Sequence, residues 1–383
     1  MKKSVFVLLF IGLLVSLPLL MSCSTAAPAT SGTPATTPAS SSTADSKPAD
    51  GKVYEFSYSV FFPPVHKNAI LAQKFSDEIN KRTNGKVKIT VFAGGTLTKA
   101  DKVYDGVVNG LSDMGMSVVS YTKGRFPASE LVELPHGYLN GWVATMVAND
   151  FYNEFKPKEF DGVHVLYFHA HGPSVLLTVN KPVRQMEDLK GMVIRSTGVG
   201  ASIIEALGGK GYGAAQNEAY DLMSKNTIDG SYTPREVLQG WKQAEIVKYV
   251  TECTDVGSTA NMYVVINKDK WNSLPADIQD VFTQVSKEWI DKHGMTWTNY
   301  DVSAINYFKT FEGRELIKLS SEESAKWIKA TEPLTSATIK DITDKGLPAE
   351  QYEKFLIEKA KEYAGKSPSD QAIIDFNKSE FGK

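Results

Sequence analysis

The chain has 383 residues, 42% of them hydrophobic and 22% charged, which is enough for two globular lobes and excludes a wholly disordered or membrane-embedded protein. Its formal net charge of −2 at pH 7 supplies no broad basic field, and it holds no Lys/Arg block or RNA-binding signature, so nucleic-acid partners are set aside. With only two cysteines it is no disulfide-stapled scaffold.

At the N-terminus, Lys2 and Lys3, an apolar run from Val5 to Leu20, and Leu20-Met21-Ser22-Cys23 together resemble a bacterial lipoprotein signal. The run is interrupted by Gly12, Ser16 and Pro18 and is shorter than the roughly 20 residues of a spanning helix, which favours cleavage over a retained anchor. Residues 1–22 are therefore read as a signal peptide and Cys23 as the lipidated first residue of an extracytoplasmic protein anchored to a membrane. Residues 23–52, almost wholly Ser, Thr, Ala and Pro, carry too little apolar surface to offset the entropy of ordering and read as a disordered tether. If Cys23 carries lipid, Cys253 has no disulfide partner.

The body opens with a strand over 54–60, where aromatic and β-branched residues alternate. A helix follows over 66–83, with Ile70, Leu71, Phe75 and Ile79 on one face and Asn84-Gly85 as its stop. Residues 86–92 are the next strand, 99–109 a helix with Val103 and Val107 on one face, and 113–120 a short apolar strand. This β-α-β order predicts largely parallel sheets flanked by helices, with ligand beyond the carboxyl ends of the strands. Strands over 163–168 and 174–180 bracket a change of lobe near Gly172-Pro173; further strands cover 193–195 and 261–267, the latter a return crossing. From Pro275 to about Phe311 the chain is free of proline, with Ile278, Phe282, Val285, Trp289 and Ile290 on one face. A continuous helix here would span roughly 50 Å and brace both lobes; the alternative is two helices broken at His293-Gly294.

The segment from Lys181 to Arg195 contains Asp188-Leu189-Lys190-Gly191 and Ile194-Arg195, and so resembles the D-L-K-G-x-x-I-R motif of the DctP family, the solute-binding proteins of TRAP transporters. Gly85-Lys86 with its following strand, Val107 to Asp113, and Glu133-Leu134-Pro135 are similar to further segments of that family, so the resemblance covers essentially the whole body. It implies an α/β, two-lobed, periplasmic-binding-protein-like fold of type II, with the lobes joined by crossing strands and a long helix. It further implies a cleft that closes on an organic acid and delivery to the small and large subunits of a membrane permease. The expected division is 53–172 plus 261–300 for the first lobe, 173–260 plus 301–350 for the second, and 351–383 as a C-terminal helical extension.

Arg195 is the leading ligand-binding candidate, because a guanidinium stays charged and offers parallel donors that match a carboxylate. The resemblance implies the same role. Ile228 to Pro234 matches the family's V-D-G-Q-E-N-P segment, but Tyr232 and Thr233 stand in place of Glu and Asn, so the pocket differs from that of a simple dicarboxylate binder. Tyr232, Tyr212 and Phe62 add aromatic area suited to a larger or less polar acid. His171 lies where family members often place a second carboxylate-facing group, usually arginine, and His66 sits where a loop meets the first helix.

His169 and His171 alternate and raise a metal site as a rival reading, but no H-E-x-x-H or clustered cysteine motif accompanies them, so no metal and no cofactor are expected. Gly198-Val199-Gly200 lacks the third glycine of a dinucleotide loop, no G-x-S-x-G elbow occurs, and Cys253 has no flanking histidine signature. The chain is therefore expected not to be an enzyme. The competing functions are a lipid-anchored ligand sensor and an extracytoplasmic hydrolase.

Overall fold

The computed structural model describes residues 51–382, so the expected signal peptide, Cys23 and nearly all of the tether lie outside the described residues. Eleven strands form among the described residues: β1 (Tyr54–Val60), β2 (Val87–Phe92), β3 (Met114–Val118), β4 (Val163–Ala170), β5 (Val175–Thr178), β6 (Val193–Ser196), β7 (Lys210–Gly213), β8 (Gly230–Thr233), β9 (Tyr249–Glu252), β10 (Asn261–Asn267) and β11 (Glu315–Lys318). They build two sheets, ordered β2-β1-β3-β10-β4 and β11-β9-β5-β8-β6-β7. β1 runs parallel to β2 and β3, while β10 runs antiparallel to β3 and β4. In the second sheet β6 runs parallel to β7 and β8. The expected mixed α/β architecture of two helix-flanked sheets is thus present.

The chain crosses between the sheets at 171–174 and returns through β10, whose residues from Asn261 to Ile266 are all buried. Such continuous burial is what a strand enclosed on both faces requires. The expected helix over 99–109 divides into a 3-10 turn, Ala100–Lys102, and a short helix, Val103–Val108.

The helix Ala276–Phe308 runs unbroken through His293-Gly294 and spans about 50 Å at 1.5 Å per residue. Ile278, Phe282, Val285 and Trp289 enter the core beneath the first sheet, while Ala304 and Phe308 enter the core of the second. Burial along one stripe outweighs the roughly 1 kcal/mol that Gly294 costs a helix. The glycine is there for space: a Cβ at Gly294 would lie 2.9 Å from Trp142 Cδ1 and 3.0 Å from Trp142 Cα. In return, a Cβ at Gly141, the first residue of the helix Gly141–Phe155, would lie 2.4 Å from Trp297 Cβ. The two helices approach so closely that neither position has room for a methyl group.

The C-terminal segments do not form a separate extension. In the helix Ser321–Asp344, Trp327 joins a core of the second lobe, whereas Ile339 and Ile342 join a core of the first. Tyr352, Leu356 and Ala360 of the next helix, Ala349–Ala364, pack into that same first-lobe core.

Overpacking costs about 1–3 kcal/mol, more than the roughly 1 kcal/mol that replacing a helical glycine returns. Both Gly141→Ala and Gly294→Ala should therefore lower the urea midpoint, with Gly141→Ala the worse of the two. A midpoint at or above wild type for either would show that the helices can separate without cost.

Candidate functional site

β6 carries the central residue. In the register of the second sheet, Arg195 lies opposite Ser231 of β8 and Tyr212 of β7, so its side chain rises from near the carboxyl end of a parallel pair. It is 3% exposed. Its Nε donates to Ala214 O at 2.9 Å and its Nη1 to Gln216 Oε1 at 2.7 Å. Among the described residues no carboxylate forms an ion pair with it. Burial lowers its pKa and the Tyr121 phenol opposes that shift, but a guanidinium keeps its proton throughout the physiological range. The result is a buried cation whose bound partners are all neutral.

Arg195 opens into a cleft between the lobes that encloses about 480 Å³ of space free of atoms, open solvent at its mouth included. Phe61 and Phe62, just beyond β1, form one wall with Trp241 and with Trp297 of the long helix. Phe61 stacks on Trp241 with ring centroids 6.2 Å apart and leans on Phe62 at 4.1 Å. Thr233 at the end of β8, Gln216 and Thr259 supply polar lining. Gln216 Nε2 is buried with no hydrogen-bond partner, although Thr233 Oγ1 reaches Gln216 Oε1 at 3.3 Å. The first lobe touches this cluster directly, since Gln216 N donates to the Tyr121 hydroxyl at 3.0 Å.

Of the expected site residues, Arg195, His171, Thr233, Tyr232 and Phe62 all line the cleft. Tyr232 also serves the fold: its hydroxyl donates to Val256 O at 2.6 Å and accepts from Ser258 N at 3.0 Å. Tyr212 does not line the cleft. It lies on β7, the edge strand of the second sheet, and is 39% exposed. His66 also lies outside the lining, buried behind it. Its ring stacks on Phe62 at 4.4 Å and its Nε2 meets Glu236 Oε1 at 2.6 Å. The sequence reading missed Tyr121, Gln216, Glu236, Trp241 and Trp297; they come from four separate segments, Glu236 and Trp241 flanking one short helix, and no motif in the sequence links them.

The metal alternative on His169 and His171 is not what the geometry builds. His169 is buried and stacks on His293 at 4.2 Å, and its Nδ1 accepts from Trp297 Nε1 at 3.0 Å. Burial pushes both imidazoles down, His293 to about 3, so the stack is neutral. No group of three or more potential ligands is gathered among the described residues. Cys253 is buried and its thiol is pushed up to about 12 by that burial, which suits packing and not nucleophilic attack.

Two lobes that meet across a cleft with a buried, unneutralised cation in its wall define a binding protein for an anionic solute. The chain belongs to the bacterial extracellular solute-binding protein family 7, DctP, whose family model matches residues 59–341. Over 288 residues it is 25% identical to the C4-dicarboxylate-binding periplasmic protein DctP of Vibrio cholerae, covering 72% of this chain and 83% of the relative. A TRAP periplasmic solute-binding protein from Desulfovibrio salexigens shares 28% identity and superimposes with a TM-score of 0.72, covering 83% of this chain and 99% of that one. Another from Bordetella bronchiseptica, solved with bound (R)-mandelate and (S)-mandelate, shares 26% identity with a TM-score of 0.74, covering 81% and 99% of the two chains.

Behind the cleft, Glu133 is 1% exposed, accepts from Asn261 N at 3.0 Å and pairs with no Lys or Arg among the described residues. Burial pushes its carboxyl up to about 8. The folded protein thus keeps a proton there that an unfolded chain gives up from its ordinary range near 4.5. The stability this contributes is full below that ordinary value and is lost as pH rises through about 8. Glu133→Gln should accordingly gain on wild type, by urea midpoint, between about pH 5 and about pH 8.5, by on the order of 1–3 kcal/mol. A constant difference across that range would mean that Glu133 is ionised in the folded protein.

Proposed function

We propose that this protein captures an organic acid between its lobes, with the ligand carboxylate on Arg195, and delivers it to the small and large membrane subunits of a TRAP permease. The observation that carries the reading is the buried guanidinium without a counter-charge. Leaving one member of a buried ion pair alone costs about 3–5 kcal/mol, a cost that a bound carboxylate relieves and that an empty cleft must bear. The aromatic wall then covers the apolar remainder of the acid, in keeping with the mandelate bound by the Bordetella relative. Nothing in the reading requires a metal or a cofactor, and the role is binding, not catalysis.

The mechanism is two-state. Open lobes admit the anion, Arg195 and Gln216 engage it, and the lobes close because the ligand binds the closed form better than the open one. Residues 53–172 with 261–300 and residues 173–260 with the segment that carries Trp327 act as the moving bodies, and the chain from Ile339 to Ala360, packed into the first-lobe core, moves with the first. Cys23, after removal of residues 1–22, carries lipid and holds the body through the tether at the extracytoplasmic face of a membrane. No helix among the described residues is long and apolar enough to cross a membrane itself.

Arg195→Ala should lose at least about 3 kcal/mol of ligand affinity, a factor of more than about 100, while the ligand-free protein unfolds at an unchanged or higher temperature. Arg195→Lys should retain part of the affinity, because the charge survives and the paired donors do not. Calorimetric titration with mandelate checks both, and normal binding by Arg195→Ala would end the clamp reading. Cys23→Ser should move the protein from the membrane to the soluble fraction; membrane association that survives the change would remove the lipid anchor.

A further inference from the structure

Among the described residues Arg195 is the only lysine or arginine in the cleft lining, so a second carboxylate on the ligand would find no second cation there. Beside Arg195 the cleft also holds buried acceptors. His171 is 5% exposed, and its Nδ1 lies 2.5 Å from the carbonyl oxygen of Gly172. A carbonyl can only accept, so the ring hydrogen sits on Nδ1 and Nε2 is left as a lone pair. Burial, together with the nearby Arg195 charge, pushes this imidazole down to about 4, which keeps it neutral.

Glu236 lines the same cleft and is 1% exposed. Its partner is His66, which caps the helix Lys67–Arg82 with Nδ1 accepting from Asn68 N at 3.1 Å and so turns Nε2 toward Glu236 as a donor. The neighbouring Arg235 is engaged by Glu252. Asp301 of the long helix reaches the same corner, since a Cβ on Gly172 would lie 2.3 Å from its Oδ2. The surroundings of His171 therefore hold carboxylates and, Arg195 apart, no lysine or arginine in the cleft lining among the described residues.

We infer that the cleft selects an acid with a single carboxylate and a hydrogen-bond donor such as a hydroxyl beside it, and rejects dicarboxylates, with His171 and Glu236 as the specificity-determining acceptors. This rests on the carboxylate of the ligand lying on Arg195. A donor hydroxyl satisfies the His171 lone pair, whereas a second carboxylate placed there would meet a lone pair and find no second lysine or arginine in the lining to balance its charge.

Matched acids separate the two ideas. Phenylacetate, mandelate and phenylmalonate differ at one carbon by hydrogen, hydroxyl and carboxylate; propanoate, lactate and methylmalonate repeat the series without the ring. By titration calorimetry at neutral pH, the hydroxy acid of at least one series should bind at least about tenfold more tightly than the plain acid and than the diacid. Glu236→Gln, which keeps an oxygen to accept from His66 but carries no charge, should narrow the gap to the diacid several-fold. His171→Phe should remove the preference for the hydroxyl. A diacid that binds as tightly as its hydroxy analogue while still depending on Arg195 would overturn the selectivity and leave the clamp standing. Binding of any of the acids that survives Arg195→Ala would overturn the clamp itself and the selectivity with it, as would no binding by all six.

Discussion

The fold keeps the Arg195 guanidinium buried with no ion-pair partner among the described residues. Arg195 is satisfied geometrically by Ala214 O and Gln216, neutral groups that hold the side chain without cancelling its charge. Gln216 is in turn anchored by the Tyr121 hydroxyl from the first lobe, so the group that orients the cation already bridges the cleft. Any approach of the lobes bears on the charge, and any anion that neutralises the charge does so where the lobes meet. In the proposed mechanism binding and closure share these contacts, so no separate signalling path is needed to link them.

Closure also needs a body that both lobes grip. The helix Ala276–Phe308 meets that need by giving its first half to one core and its last turns to the other. Its middle turns are buried without interruption from His293 to Thr298. There Trp297 faces the cleft on one side and donates to His169 on the other. The cleft wall is therefore the outer surface of a packed stack of rings and not a loose flap. Aromatic side chains suit that position, since they offer large apolar area with few rotatable bonds to immobilise.

The buried histidines shape the cleft as much as the cation does. His66, His169, His171 and His293 all lie in or behind the wall, and each has a ring nitrogen committed to a fixed partner. Imidazoles used in this way act as rigid polar spacers. They satisfy backbone and side-chain groups that would otherwise be stranded.

Much of the architecture was legible in the chain itself. The bounds of β1 and β10 follow from alternation and β-branched content, and the long helix from a proline-free stretch with one apolar face, because these are properties of consecutive residues. The motif ending in Ile194-Arg195 singled out the cation for the same reason. The rest of the cleft was not legible. Tyr212, four residues before Gln216 and paired in register with Arg195, looked like a wall and turned out to be an edge residue, whereas Trp241, Glu236 and Trp297 gave no signal at all. Local pattern determined which segments become strands and helices, because backbone propensity and one-sided burial act over a few residues. Which side chains share a cleft was decided only by tertiary structure, because sheet order and the crossing of two helices at glycines bring together residues far apart in sequence.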